Sequence, residues 1–494
     1  MASQHIALPA SHERPRSTAA KSAFARQVQT LGYGWNGLSP GDVARIVESL
    51  EEVATCAPVR ANLQRIETAF ALAACLFTGR RLHQLAELRW TVLSAWPDGE
   101  EVTPGLVRCG HSFGWHLRAG RAGKPDEGSI HEDDCCLWLP APPLVERLAS
   151  LSFNARGVLG SAGAPLFGQA PDLLENSCRD ALRSPTSRRA GTTLEAVERW
   201  LFDAIRRAPG GDAALAQLVT TRSEITSATP SYYSSCTQAQ IEELWWAAVG
   251  PTLGCSLRRA PHLALRGQRY GSPFYPSDEL VVEVGNLLRD RVAAADSVED
   301  RHNALTLYTF SLCSLGLALR PANRPLLKWH GIDPATGMVT IDDDRRRDSF
   351  MVRLSWAAPA IREQLHVYGQ HLAALSGVRP DVAALVQRAG SDIPSFLFVE
   401  GRPQSRTLYE VMSTVCEVAP APLKENFARH YIRSKLLGRC ATETLQAFMG
   451  HWNSGTEPFG VGSGLDPLLY RADLMKALPP ILAEVGWASI GGRP

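Results

Sequence analysis

An arginine, a histidine and a tyrosine follow one another near the end of the chain, in an order suited to handling a phosphate. They lie in Asn426-Phe427-Ala428-Arg429-His430-Tyr431, then Met449-Gly450-His451, then Tyr470. Arginine presents a planar fork of donors that matches two phosphate oxygens. Histidine can hydrogen-bond a phosphoryl oxygen or move a proton near neutral pH. A tyrosine hydroxyl can attack phosphorus and become linked to it. A second arginine stands upstream in Leu317-Ala318-Leu319-Arg320-Pro321, directly after an apolar run. Each residue also has a plainer reading. Arg320 at a helix end can pair with an acidic neighbour. His451 can cap a helix C-terminus, and Tyr470 can be a core aromatic.

The ordered set Arg320, Asn426-x-x-Arg429-His430, Met449-Gly450-His451, Tyr470 resembles the catalytic domain of the tyrosine recombinases of phage-integrase type. That family's pattern runs Arg, a hairpin Lys, His-x-x-Arg, Gly-His, Tyr. The resemblance covers residues 280–475 or so. It implies that Tyr470 attacks a scissile DNA phosphate and forms a 3′-phosphotyrosyl link. Arg320 and Arg429 would hold the non-bridging oxygens, His451 would donate a hydrogen bond or move a proton, and Asn426 would position the phosphate. The phosphotyrosine conserves the bond energy, so neither metal nor ATP is implied. The chain departs from the pattern in four places. Asn426 replaces a His, and Asn323 an acidic residue. The hairpin Lys is missing, and one of Arg345, Arg346 or Arg347 would reach DNA in its stead. Phe459 stands at the usual distance for the tyrosine, whereas Tyr470 is nineteen positions beyond His451.

The first half echoes the second. Leu76-Phe77-Thr78-Gly79-Arg80-Arg81, with Leu88-Arg89-Trp90 after it, parallels Leu315-Gly316-Leu317-Ala318-Leu319-Arg320 and Leu327-Lys328-Trp329 at an offset of 239 (320 less 81). Further on, an offset of 230 sets Arg199 opposite Arg429 and Thr221 opposite His451 (429 less 199), and Tyr232-Tyr233 closes the copy. The expectation is two tandem recombinase-like units, the first degraded. Arg81 and Arg199 would survive in it as DNA contacts.

Composition bounds the rest. The chain has 494 residues, enough for two or three domains. Its 45% hydrophobic and 20% charged residues describe a globular rather than a disordered chain. A net charge of +1 requires any basic DNA-facing surface to be offset by acidic ones elsewhere. Eleven cysteines without a C-x-x-C pair read as reduced thiols. The set Cys109, His111, His116, His131, Cys135 and Cys136 fits no ordinary zinc spacing, so no metal is expected. Met1–Arg26 has no apolar signal core. The apolar run from Ala304 to Leu319 is too short to span a membrane and is broken by Thr and Ser. A cytoplasmic, nucleoid-associated protein is expected.

The elements that must position these residues are mostly helices. Ser39-Pro40-Gly41-Asp42 opens a capped helix. Residues 67–76 and 304–319 read as buried helices. Trp115-His116-Leu117 and Cys136-Leu137-Trp138-Leu139 would pair as a hairpin. Further helices are expected at 277–294, 358–376, 405–418, 426–438 and 441–450, with a hairpin near 338–355. A last amphipathic helix over 471–485 would be interrupted at Pro479-Pro480. The fold class is thus mainly α with small β hairpins (α+β). The organisation is a flexible arm at 1–38, a degenerate integrase-like unit at 39–240, an irregular linker at 241–274, and a catalytic-like domain at 275–494. The function expected is site-specific DNA recombination. Its partners would be duplex DNA and further copies of itself, with the helix after Tyr470 as a docking element. The alternative is an integrase-fold DNA-binding or accessory protein without catalysis. An unrelated helical interaction protein is a third reading.

Overall fold

The computed structural model describes residues 37–94, 102–110, 112–120, 136–157, 163–183, 192–222, 228–254, 268–342, 352–451, 458–459 and 463–491. Arg345, Arg346 and Arg347 lie outside them, as does the arm at 1–36.

The chain is mainly helical with small sheets. Among the described residues the first helix is α1 (Pro40–Val53), which starts from Ser39, whose side chain accepts the Asp42 N–H while Asp42 reaches back to the Ser39 N–H. Next comes α2 (Leu63–Thr78), buried from Ile66 to Thr78. A short α3 (Leu82–Ala86) leads into a four-stranded sheet of β1 (Arg89–Leu93), β2 (Gly105–Cys109), β3 (Ser112–Arg118) and β4 (Cys136–Pro140). Strands β3 and β4 pair antiparallel where expected, with Trp115 opposite Leu139 and Leu117 opposite Leu137. Strand β1 runs parallel to β2. Then come α4 (Pro143–Arg156), α5 (Pro171–Arg183), α6 (Leu194–Arg207), α7 (Ala213–Thr220) and the short α8 (Ala228–Tyr233).

Of residues 241–274, expected as an irregular linker, 255–267 lie outside the described residues. Helix α9 (Gln238–Leu253) runs through position 240, and β6 (Arg269–Gly271) pairs with β5 (Ser235–Thr237). The capping box of Thr237 and Gln240 fixes the start of α9.

The second half is again made of helices and small hairpins. Helices α10 (Asp278–Ala293) and α11 (Val298–Leu317) start from serine caps, Ser277 and Ser297. A hairpin of β7 (Met338–Asp342) and β8 (Val352–Trp356) follows, with Met338 opposite Trp356. Then come α12 (Pro359–Val378), α13 (Pro380–Ala389), the hairpin β9 (Phe396–Val399) and β10 (Arg402–Ser405), α14 (Leu408–Val418), α15 (Phe427–Leu436), α16 (Thr442–Met449) and α17 (Pro467–Glu484). Helix α11 is buried on every side from Ala304 to Leu317, so its hydroxyls need internal partners. Thr309 accepts from Gln364 Nε2 at 3.0 Å, and Thr306 meets the Tyr368 hydroxyl at 3.2 Å.

Helix α17 corrects one expectation: it continues through Pro479-Pro480. The two prolines withhold N–H groups from the carbonyls of Met475 and Lys476, which are exposed residues whose carbonyls water can serve. Burial of Leu474, Leu478, Ile481 and Leu482 holds the helix on its own chain. Leu468, Leu469 and Met475 remain exposed. No helix among the described residues is long and apolar enough to cross a membrane.

The halves meet along a polar seam. Arg433 donates to Asp212 at 2.6 Å, and Thr442 Oγ1 to the Gly211 carbonyl at 2.7 Å. The Ser235 N–H donates to Ser434 Oγ at 2.8 Å. Gly210 and Gly438, both at positive φ, face each other so closely that a Cβ on Gly210 would sit 3.2 Å from Gly438 Cα.

Candidate functional site

The site forms where two helices end. Helix α11 passes into Ala318, held in the left-handed region at φ 49°, and α16 passes into Gly450 at φ 68°. Helix C-termini leave carbonyls without helical partners, and these carry the negative end of the helix dipole. Two guanidinium groups meet that demand. Arg353, on β8, donates to Phe448 O at 2.6 Å, Leu317 O at 2.9 Å and Ala318 O at 3.0 Å. Arg429, on α15, donates to Ala318 O, to Met449 O at 2.7 Å and to His451 Nε2 at 3.3 Å. Both side chains are fully buried.

His451 follows the Gly450 cap and is 8% exposed. Burial, then the charges of Arg429, Arg433, Arg320 and Arg353, hold its pKa well below the ordinary value. The imidazole is therefore neutral at physiological pH: it can donate or accept a hydrogen bond but cannot serve as a standing imidazolium acid. Because Nε2 accepts from Arg429, the hydrogen-bond network assigns the proton to Nδ1.

Arg320 lies two residues past Ala318, half-buried, within electrostatic reach of His451. Asn426 occupies the N-cap of α15, where its carbonyl accepts the Arg429 N–H at 2.9 Å and its side chain makes no capping bond. Arg320, Arg429 and His451 are thus brought together. Tyr470 is engaged through its hydroxyl by the backbone of β8. Its hydroxyl donates to the Leu354 carbonyl at 2.7 Å, its ring packs edge-on against Phe459 at 5.6 Å, and it is 1% exposed. Burial raises its pKa, with Arg353 pulling the other way.

Two contributors escaped the sequence reading. Arg353 is one; the alternation of β8 puts it and Ser355 on the buried face, and that phase was its only signal. Tyr233 is the other. Its ring lies 5.0 Å beneath the Arg429 guanidinium, 5.3 Å from the His451 ring at 23°, and 4.6 Å from the His430 ring.

Left-handed helix ends occur in the first half as well. Helix α2 also ends in a left-handed residue, Gly79 at φ 65°, and α7 ends in Thr221 at φ 59°. Thr221 and Gly450 are thus both left-handed helix ends, followed by Arg222 and His451 respectively. Arg222 bonds Glu198 at 3.3 Å and approaches Gly79 O at 3.5 Å, while Glu198 accepts the Leu82 N–H at 2.8 Å. A carboxylate thus lies beside the α2 cap. Arg199 turns to Asp203 at 3.1 Å. Arg81 is exposed at the start of α3, and Arg80 is the buried arginine, donating to Arg118 O and Val219 O at 2.7 Å each. Glu198 and Arg222 offset each other's charge here.

No family model matches the chain, and no curated protein matches it.

Proposed function

We propose that the chain is an integrase-fold DNA-binding protein that does not cleave DNA. In this reading it consists of two tandem tyrosine-recombinase-like units. The second keeps Arg320, Arg429 and His451 as a phosphate-recognising set, and the first has replaced that set with the Glu198–Arg222 pair. The observation that carries the reading is the Tyr470 hydroxyl, bound to the Leu354 carbonyl at 2.7 Å and shut from solvent. A nucleophile has to reach phosphorus with its hydroxyl free to lose a proton. Asn426, which cannot take that proton, and Phe459 at the family's tyrosine distance support the same reading. Duplex DNA is the partner, several copies would assemble on it, and the nucleoid in the cytoplasm is its place of work.

Strand cleavage is the second reading, favoured by the intact Arg429–His451 contact beside Arg320. One experiment separates the two. The purified protein is titrated with duplex DNA at several salt concentrations, then incubated with nicked DNA and run on a denaturing gel. Affinity that falls steeply with salt, about 0.9 log unit per log unit of salt for each phosphate contacted, with no covalent adduct, is the expected result. An adduct that disappears in Tyr470→Phe would establish cleavage instead. Salt-insensitive or absent binding overturns both.

A further inference from the structure

Helix α15 carries Arg429 and, one and a bit turns on, the residues that grip the segment bearing Tyr233. Arg433 Nε donates to Pro230 O at 3.1 Å and to Ser234 Oγ at 2.8 Å, and Ser434 Oγ accepts the Ser235 N–H at 2.8 Å. Clamped on both sides, Tyr233 is held with its ring against Arg429 and His451. A guanidinium over an aromatic face is attracted by the ring's quadrupole, most strongly where water is excluded. A ring stacked on an imidazole also restricts its rotation.

A second observation points to a ligand. His451 Nδ1 is buried and has no hydrogen-bond partner among the described residues. Buried donors are rarely left so, since an unmade bond costs desolvation without return. The neighbouring guanidinium groups make an anionic oxygen the fitting acceptor.

We propose that Tyr233, contributed by the first half of the chain, is a positioning residue of the Arg429–His451 site. Its ring fixes the guanidinium and the imidazole so that the His451 Nδ1–H is available to a phosphate oxygen. The inference rests on the phosphate-binding reading of this site, but its main readout, the imidazole tautomer, needs no DNA.

The test uses the full-length protein labelled with 15N-histidine, in which two-bond nitrogen–proton correlations report which ring nitrogen carries the proton. The His451 signal is identified by its loss in His451→Gln. The expected result is a single Nδ1–H tautomer in the wild type and in Tyr233→Phe. In Tyr233→Leu a mixture of tautomers is expected, with affinity for a random-sequence DNA duplex about tenfold weaker at matched salt. A folded Tyr233→Leu protein with an unchanged tautomer and unchanged affinity overturns the proposal. If that variant fails to fold, the wild type decides, because an Nε2-protonated His451 is incompatible with it. A tautomer change in a protein that binds no DNA leaves Tyr233 as the positioning residue and removes the DNA reading alone.

Discussion

Arg433 and Asp212 meet at 2.6 Å in the seam between the halves, their side chains 0% and 3% exposed. Asp212 also caps α7 by accepting the Leu215 N–H at 2.8 Å. Removing one partner of a buried pair strands the other charge. Asp212→Ala is therefore expected to cost about 3–5 kcal/mol for the pair and about 1 kcal/mol more for the lost cap. The double variant Asp212→Leu, Arg433→Met should be more stable than either single change. Urea unfolding of Asp212→Ala, of the double variant and of its two single changes checks this, and a double variant less stable than both singles would count against the pair being a seam clamp.

Tyr470→Phe deletes one hydroxyl that donates to one carbonyl. The expected loss is about 1 kcal/mol, the net worth of such a bond with Leu354 O left short of a partner. DNA affinity should not change. A large drop in affinity with the fold intact would put Tyr470 at the DNA.

Arg429→Lys replaces a fork that reaches Ala318 O, Met449 O and His451 with a single ammonium. At least one carbonyl loses its donor, at about 1–3 kcal/mol. Thermal melting should show that loss, and DNA binding should weaken at matched salt. Wild-type values for both would make Arg429 an incidental cap.

Acid sensitivity follows from the buried histidines. Burial lowers His302 and His430 to about 3 and His116 to about 4, and His302 touches His371 at 3.1 Å, so both rings cannot be charged cheaply. The unfolded chain binds protons near pH 6.5. Below that pH it takes up protons that the fold refuses. Stability is thus complete above about pH 6.5 and is lost as pH falls towards the folded values, at about 1.4 kcal/mol per pH unit for each such group. Unfolding free energies compared between about pH 7 and about pH 5 should fall; a flat profile would contradict the neutral burial of these rings.

The mainly helical class, the helix ends and the 338–356 hairpin were legible because caps and periodicity are local signals. The hairpin of β9 and β10 was not. Its turn places Glu400 at φ 50° and Gly401 at φ 75°, a geometry usually announced by Asn-Gly, and glutamate conceals it. The strands β5 and β6 are three residues each, too short to show alternation. That Arg320, Arg429 and His451 lie near one another was legible from their residue types and their order along the chain. Tyr233 was not, since its contact with Arg429 joins residues nearly two hundred positions apart and leaves no local trace.

The seam has a consequence for how this molecule can be trimmed. Cutting back to residues 275–494 would remove Asp212, Tyr233 and Ser235 in one stroke. A buried guanidinium on Arg433 and one face of the Arg429–His451 pair would be handed to water. The facing glycines Gly210 and Gly438 leave no room to refill the gap with side chains while the halves stay together. The stretch bearing the recombinase-like motif is therefore not a cassette that can be lifted into another protein; it travels with its first half or loses its shape.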